Sequence, residues 1–289
     1  MRDPTYVSRD RIEAAREGRG FAASAAGLWL CGDLAGLALP CVAIVGTRAA
    51  TAYGRRLARR FAADLGRSGC CIVSGLALGI DAAAHEGALE AGAPTIGVLG
   101  GGHHRFFPAR NRELARQMVA AGGAVLSPYP PEWDPFRPQF LQRNGVVAAL
   151  AEAVVVIEAP ARSGALNTAG WAAGRVPVLA VPGDVDRKHV QGCLALIRDG
   201  ATLARDAADV LEALGRLSPV PATPHPPTRD DAASSALLRA LEDGATEFDE
   251  LVTLSGVAPA AALAALALLE LDGRIEAQGA TRYSRVAAP

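Results

Sequence analysis

Residues 42–81 read VAIVGTRAATAYGRRLARRFAADLGRSGCCIVSGLALGID: two short apolar runs, each closed by a glycine turn, with an amphipathic stretch between them. A continuous, β-branched run of this length suits a strand covered on both faces, and neighbouring parallel strands need a helix-length crossover. Strands are therefore expected at 42–45, 71–74, 95–99, 124–126, 154–157 and 178–181, with helices at 53–66, 81–91, 110–121, 166–174 and 192–198. The expected fold class is α/β, an extended Rossmann-like, doubly wound and mostly parallel sheet. In the first helix Tyr53, Leu57, Phe61 and Leu65 recur at every fourth position and form the expected core stripe.

Such sheets bind ligands at the carboxyl ends of their strands, which directs attention to the loops there. After the first strand come Gly46, Thr47 and Arg48; after the second, Ser74, Gly75, Gly79 and Asp81; after the third, Gly100 to Gly102 with His103 and His104; after the fifth, Arg162, Ser163 and Gly164. Glycine permits close backbone approach, hydroxyls donate to phosphate oxygens, and arginine grips them with two hydrogen bonds. A glycine-ended strand feeding a helix also presents backbone N–H groups and the positive helix end to an anion. Each loop alone reads equally as turn chemistry. Converging on one rim, they point to a nucleotide or a phosphate-bearing polymer. Asp81 is expected to cap its helix rather than to catalyse.

Several chemistries are disfavoured. GTRAAT lacks the second and third glycines of a dinucleotide fingerprint, and no G-x-x-x-x-G-K-[ST] occurs, so no nucleotide cofactor is expected. His85 and the adjacent His103 and His104 have no carboxylates at ligand spacing, and no metal is expected. The five cysteines, Cys31, Cys41, Cys70, Cys71 and Cys193, lie in apolar settings and read as small core residues.

The formal net charge of −1 hides an asymmetry: residues 41–150 hold 12 Arg and 7 acidic residues, whereas residues 218–289 hold 5 Arg and 10 acids. A local excess of +5 can steer a polyanion, although Arg55, Arg56, Arg59, Arg60 and Arg67 also fit the solvated face of one helix. No run of about 18 apolar residues appears, so no membrane span is expected. The first residues alternate charges where a secretory signal would be apolar, and a cytoplasmic protein is expected.

The domain organisation expected is an N-terminal extension at 1–40 (a shortened helical module and a lead-in strand), a Rossmann-like domain at 41–216, a proline-rich linker at 217–231 and a second domain at 232–289. The last segment offers three helices and then a hairpin, the order of a winged helix. Its third helix carries Ala, Leu and Glu270 instead of the basic residues of a DNA-reading helix, which favours partner binding or self-association.

Over residues 28–210 the chain resembles the DprA/Smf family of DNA-processing proteins. The matching pieces are LWLCGD at 28–33, VAIVGTRAATAYG at 42–54, SGLALGIDAAAHEGAL at 74–89, FPARN at 107–111, LSPYPP at 126–131, QRN at 142–144, VVVIEAPARSGALNTA at 154–169, VPGD at 181–184 and GCLALIRDGA at 192–201. The resemblance implies a protein without catalytic residues that binds single-stranded DNA, loads RecA onto it and forms a homodimer. It implies DNA-binding roles for Gly46, Thr47, Arg48, Ser74, Gly75, Gly79, Arg110, Asn111, Arg143, Asn144, Arg162, Ser163, Gly164 and Thr168. Phe106, Phe107, Phe136 and Phe140 are candidate faces for bases, and equally candidate core aromatics.

The chain departs from the family pattern at Leu141, Gly145 and Glu152, where Pro, Arg and Ser are usual, and at Val190 and Leu194, which replace Ser and Asn. The alternative is a nucleotide phosphoribohydrolase of the lysine-decarboxylase-like type. That family's PGGxGT-x-x-E segment is APARSGALNTAG here, without the glycine pair or the glutamate, which favours the DNA-binding reading.

Overall fold

The computed structural model describes residues 3–216, 232–271, 274–277 and 281–285. The expected linker at 217–231 lies outside them. The chain forms two compact units, up to residue 220 and from 221 onward.

In the first unit nine strands form one sheet: β1 (Thr5–Ser8), β2 (Gly27–Gly32), β3 (Cys41–Val45), β4 (Cys71–Ser74), β5 (Thr95–Val98), β6 (Ala124–Ser127), β7 (Ala153–Val156), β8 (Val178–Ala180) and β9 (Thr202–Leu203). Their order is β1-β2-β6-β5-β4-β3-β7-β8-β9. The seven from β6 to β9 run parallel, and β2 pairs antiparallel with β6 and with β1. From β3 the chain winds outward through β4, β5 and β6, then returns to the other side of β3 as β7. That reversal puts a crevice between the carboxyl ends of β3 and β7. The segment before residue 41 contributes two strands to this same sheet.

The helices are α1 (Arg9–Ala15), α2 (Ala52–Arg67), α3 (Ile80–Glu90), α4 (Arg112–Ala120), α5 (Arg137–Leu150), α6 (Gly164–Ala172), α7 (Gln191–Arg198) and α8 (Ala207–Ala213). Alternation along β3 explains the two layers of core. Val42 and Ile44 join Leu57, Phe61 and Leu65 of α2, while Cys41, Ala43 and Val45 join Val146 to Leu150 of α5. All five cysteines are buried.

Two expectations change, and one open alternative narrows. Tyr53 is 55% exposed with Arg56 over its ring, so the stripe of α2 begins at Leu57. The α2 arginines 55, 56, 59, 60 and 67 are exposed, and Arg59 pairs with Glu86 and Glu90 while Arg67 pairs with Asp64, as on a solvated helix face. Asp81 lies inside the first turn of α3, where its carboxylate accepts from the N–H groups of Gly75 (3.1 Å) and Ala77 (3.4 Å); it ties down the preceding loop rather than capping its own helix.

The second unit contains α9 (Ala232–Glu242), α10 (Phe248–Ser255), α11 (Pro259–Leu271) and the antiparallel pair β10 (Ile275–Ala277) and β11 (Tyr283–Arg285). Leu237, Leu251, Ala262, Leu266 and Ile275 close its core. No single helix among the described residues is long and apolar enough to cross a membrane; α10 and α11 reach that composition only together, across a 109° bend.

Candidate functional site

The β3 turn is shaped by its neighbours. A Cβ on Gly46 would stand 2.5 Å from Cγ1 of Ile80 and 2.9 Å from the Glu158 carbonyl oxygen, so only glycine lets β3, α3 and the β7 loop approach this closely. Thr47 N–H donates to the Glu158 carbonyl at 2.7 Å, and the Thr47 carbonyl accepts from Ile80 N–H at 3.3 Å. Gly79 has φ +84°, and a Cβ there would strike the carbonyl oxygen of Thr47. Three loops are thereby knitted into one wall.

The expected phosphate cradle at the start of α2 is filled by the protein itself. Glu158, buried at the end of β7, accepts from Thr51 N–H (2.9 Å) and Thr51 Oγ1 (2.5 Å), and Thr51 Oγ1 accepts from Gly54 N–H (2.9 Å). A carboxylate already satisfies the helix end that the sequence offered to an anion.

What remains open is a cavity of about 380 Å³ at the β3–β7 crevice. Ten of the fourteen expected residues line it: Gly46, Thr47, Arg48, Gly75, Arg143, Asn144, Arg162, Ser163, Gly164 and Thr168. Arg48 and Arg162 are exposed, and neither makes a side-chain hydrogen bond or ion pair among the described residues. The Arg48 guanidinium lies 5.2 Å from the centroid of the Phe140 ring, whose edge-on neighbour, Phe107, is 5.9 Å away. Phe107 is 50% exposed, Phe136 is exposed too, and Phe106 is buried in the core beneath α4. On the opposite wall Ser163 caps α6 by accepting from Ala165 N–H (3.2 Å), and Asn144 Nδ2 donates to the Gly164 carbonyl (3.1 Å) and to Asn167 (3.2 Å).

Arg143 plays a different part. It is 4% exposed and donates to the carbonyls of Gly75 and Val98. Burial pushes its pKa down to about 10, partly offset by the Asp81 carboxylate, so it remains a cation at neutral pH. Burial acts on Asp81 in the opposite sense and raises it, against the pull of Arg143.

The other four lie off the cavity lining. Ser74 is fully buried and donates to the Ile44 carbonyl (2.6 Å). Asn111, also buried, donates to the carbonyls of Leu76 (2.9 Å) and Ala77 (3.0 Å), pinning a turn in which Leu76 has φ +54°. Gly79 shapes the turn, and Arg110 is exposed beside Asn111. Glu158 stands in the matched segment at 154–169 but was given no role by sequence reasoning, because its role depends on β7 lying beside β3.

Comparison with known proteins follows the same division. The profile of DNA recombination-mediator protein A matches residues 16–215, and that of the DprA winged helix domain matches residues 220–280. The DNA processing protein DprA of Mycobacterium tuberculosis is 42% identical over 90% of this chain and 69% of its own length. Protein Smf of Synechocystis is 34% identical over 86% of this chain and 70% of its own length. Among solved structures, DNA processing protein A of Streptococcus pneumoniae is similar with a TM-score of 0.61 and 38% identity, covering 65% of this chain and 66% of that one. DNA processing protein A of Helicobacter pylori, solved for its single-stranded DNA binding mode, is similar with a TM-score of 0.59 and 31% identity, covering 65% and 86%. The mostly parallel α/β sheet and the winged helix are thus as the sequence led us to expect.

Proposed function

The chain belongs to the family of DNA recombination-mediator protein A, also called DprA or Smf, and from that premise we propose that it binds single-stranded DNA along the carboxyl rim of its sheet, protects the incoming strand and loads RecA onto it. The observation that carries the DNA-binding reading is the open cavity with two guanidiniums, Arg48 and Arg162, that make no hydrogen bond or ion pair among the described residues, and the Phe140 ring on its wall with Phe107 edge-on beside it. Spaced cations hold phosphates and flat rings take bases, and a base reaches a ring only when it is unpaired.

In this reading Arg48, Asn144, Arg162, Ser163 and Gly164 touch the strand, with Arg110 further along the rim. Gly46, Thr47, Ser74, Gly75, Gly79, Asn111, Arg143 and Thr168 hold the wall in shape. No residue is assigned a catalytic role, since Asp81, a carboxylate of the lining, is engaged by the N–H groups of Gly75 and Ala77. RecA loading and a homodimer come from the family resemblance, and action in the cytoplasm from the charged first residues. Residues 1–40 add β1, α1 and β2 to the unit that the sequence reading begins at residue 41, and the winged helix is taken as the partner-binding unit.

Binding of labelled oligonucleotides, single-stranded and duplex, at two salt concentrations tests the reading. We expect preference for the single strand and a log–log salt slope of about −0.7 per phosphate contact. Equal binding to both forms, or none to either, rejects it.

A further inference from the structure

A second cavity of about 440 Å³ opens at the same rim of the sheet. It forms where Tyr129, two residues beyond β6, meets the segment 22–25 that leads into β2, with α5 and Trp171 of α6 as its other walls. Helical periodicity puts it on the far flank of α5: Phe140, Asn144 and Val147 face the first cavity, and Gln142, Gly145 and Val146 face this one.

Its chemistry differs from that of the first. No arginine or lysine lines it, so nothing there grips a phosphate directly. What it offers is a flat face with polar neighbours. The Trp171 indole is 49% exposed and lies against the bare backbone of Gly145, where a built Cβ would be 3.4 Å from Cδ2 and Cε2 of the ring. The Tyr129 hydroxyl is held by Gln142 Oε1 at 2.9 Å. Four residues on, past the end of α6, the exposed Arg175 donates from Nη1 to the Trp171 carbonyl at 3.2 Å.

We propose that this cavity is a second base-binding subsite, in which the Trp171 indole stacks on a nucleobase of the same single strand that Arg48 holds on the other side of α5. The inference rests on the proposed function of the first cavity and adds to it a path: over the outer face of α5, past Leu141 and Gly145. It also gives Gly145 a place: a Cβ there would already stand at van der Waals distance from the indole, so a longer side chain would compete with a base for the space beside the ring.

The test titrates the full chain with oligonucleotides of about 5 and about 20 nucleotides, the shorter covering one subsite and the longer able to reach both. Trp171→Ala should weaken binding of the longer strand about tenfold and leave the shorter unaltered, and Trp171→Phe should recover most of the loss. The longer strand should quench tryptophan fluorescence in the unsubstituted protein, with the quench reduced in Trp171→Phe. The proposal is overturned if Trp171→Ala binds the longer strand normally, as it would if a protein partner used the indole. Equal loss for both lengths also overturns it, because the indole then only supports the first cavity. Arg48→Ala separates the two levels. If it binds both lengths normally, the first-cavity reading fails and this one with it; if it weakens both while Trp171 variants change nothing, only the second subsite is lost.

Discussion

The guanidinium of Arg48, on the turn after β3, lies 5.2 Å from the ring centroid of Phe140, on α5, some ninety residues later in the chain. Cation and ring share one mouth, and each offers a strand of DNA a different contact. Arg48→Ala should weaken single-stranded DNA binding by about 1.5 kcal/mol or more, the value of a charge-assisted hydrogen bond, and reduce the salt slope by about 0.7. Phe140→Ala should cost about 1–3 kcal/mol with the slope unchanged. Anisotropy titrations over a range of salt measure both. If Arg48→Ala leaves affinity and slope intact, the turn is structural.

Glu158 should matter for stability rather than for affinity. Its removal in Glu158→Ala leaves Thr51 N–H and hydroxyl without their acceptor at a half-buried helix end, a loss of about 1 kcal/mol in urea unfolding. Glu158→Gln should recover part of this. Per folded molecule, DNA affinity should stay the same.

Arg143 and Asp81, both buried, act on each other through their charges without touching, and give a sharper contrast. Arg143→Met strips the buried Gly75 and Val98 carbonyls of their donor and removes a positive charge that favours the Asp81 carboxylate, at a cost of about 1–3 kcal/mol. Adding Asp81→Asn should restore part of the loss, so the double variant should be less unstable than the two single losses added together. Because Arg143 is 4% exposed, the salt slope of DNA binding should not move in Arg143→Met, unlike in Arg48→Ala. A slope that falls equally in both variants would make Arg143 a direct phosphate contact.

His85 sets a pH limit on the fold. The Thr95 hydroxyl donates to the Ile72 carbonyl (2.9 Å), so His85 Nδ1 carries the hydrogen it shares with Thr95 Oγ1 (2.7 Å), and Nε2 is buried without a partner. Burial, and the Arg143 charge, push its pKa down to about 3. The unfolded chain, titrating near 6.5, then binds more protons between the two values, so stability is full above about 6.5 and falls with pH below it. The slope for this group is about 1.4 kcal/mol per pH unit. Burial lowers His103 in the same direction. Urea midpoints at pH 7, 5.5 and 4.5 should diverge between the native chain and His85→Gln; parallel curves would show that the ring is not the limiting group.

Much of the fold was legible because each parallel strand is buried on both faces and so is written as an unbroken apolar run. β3 to β8 follow those runs to within a residue or so. α5 does not, although it carries Phe140, Arg143 and Asn144. Its buried side includes Gln139 and Arg143 beside Val146 and Val147, and Pro138 and Gly145 read as breakers, so no apolar stripe marks it. Tyr53 misled in the opposite way: an aromatic at the right period extends a stripe that in space has already turned to solvent.

The sequence by itself determined the α/β class, the glycine turns, the family and, through it, the set of residues around the rim, because these depend on short-range pattern and on residue type. Only the tertiary structure decided which of them face the cavity. The return of the chain from β6 to β7 brings Glu158 onto the start of α2, closing one anion site, and brings Arg162 and the start of α6 opposite Arg48, opening another. It also buries Arg143 while leaving Arg48 free. Identical guanidiniums differ in role because burial and partners are set by strand order, which no local run of residues encodes.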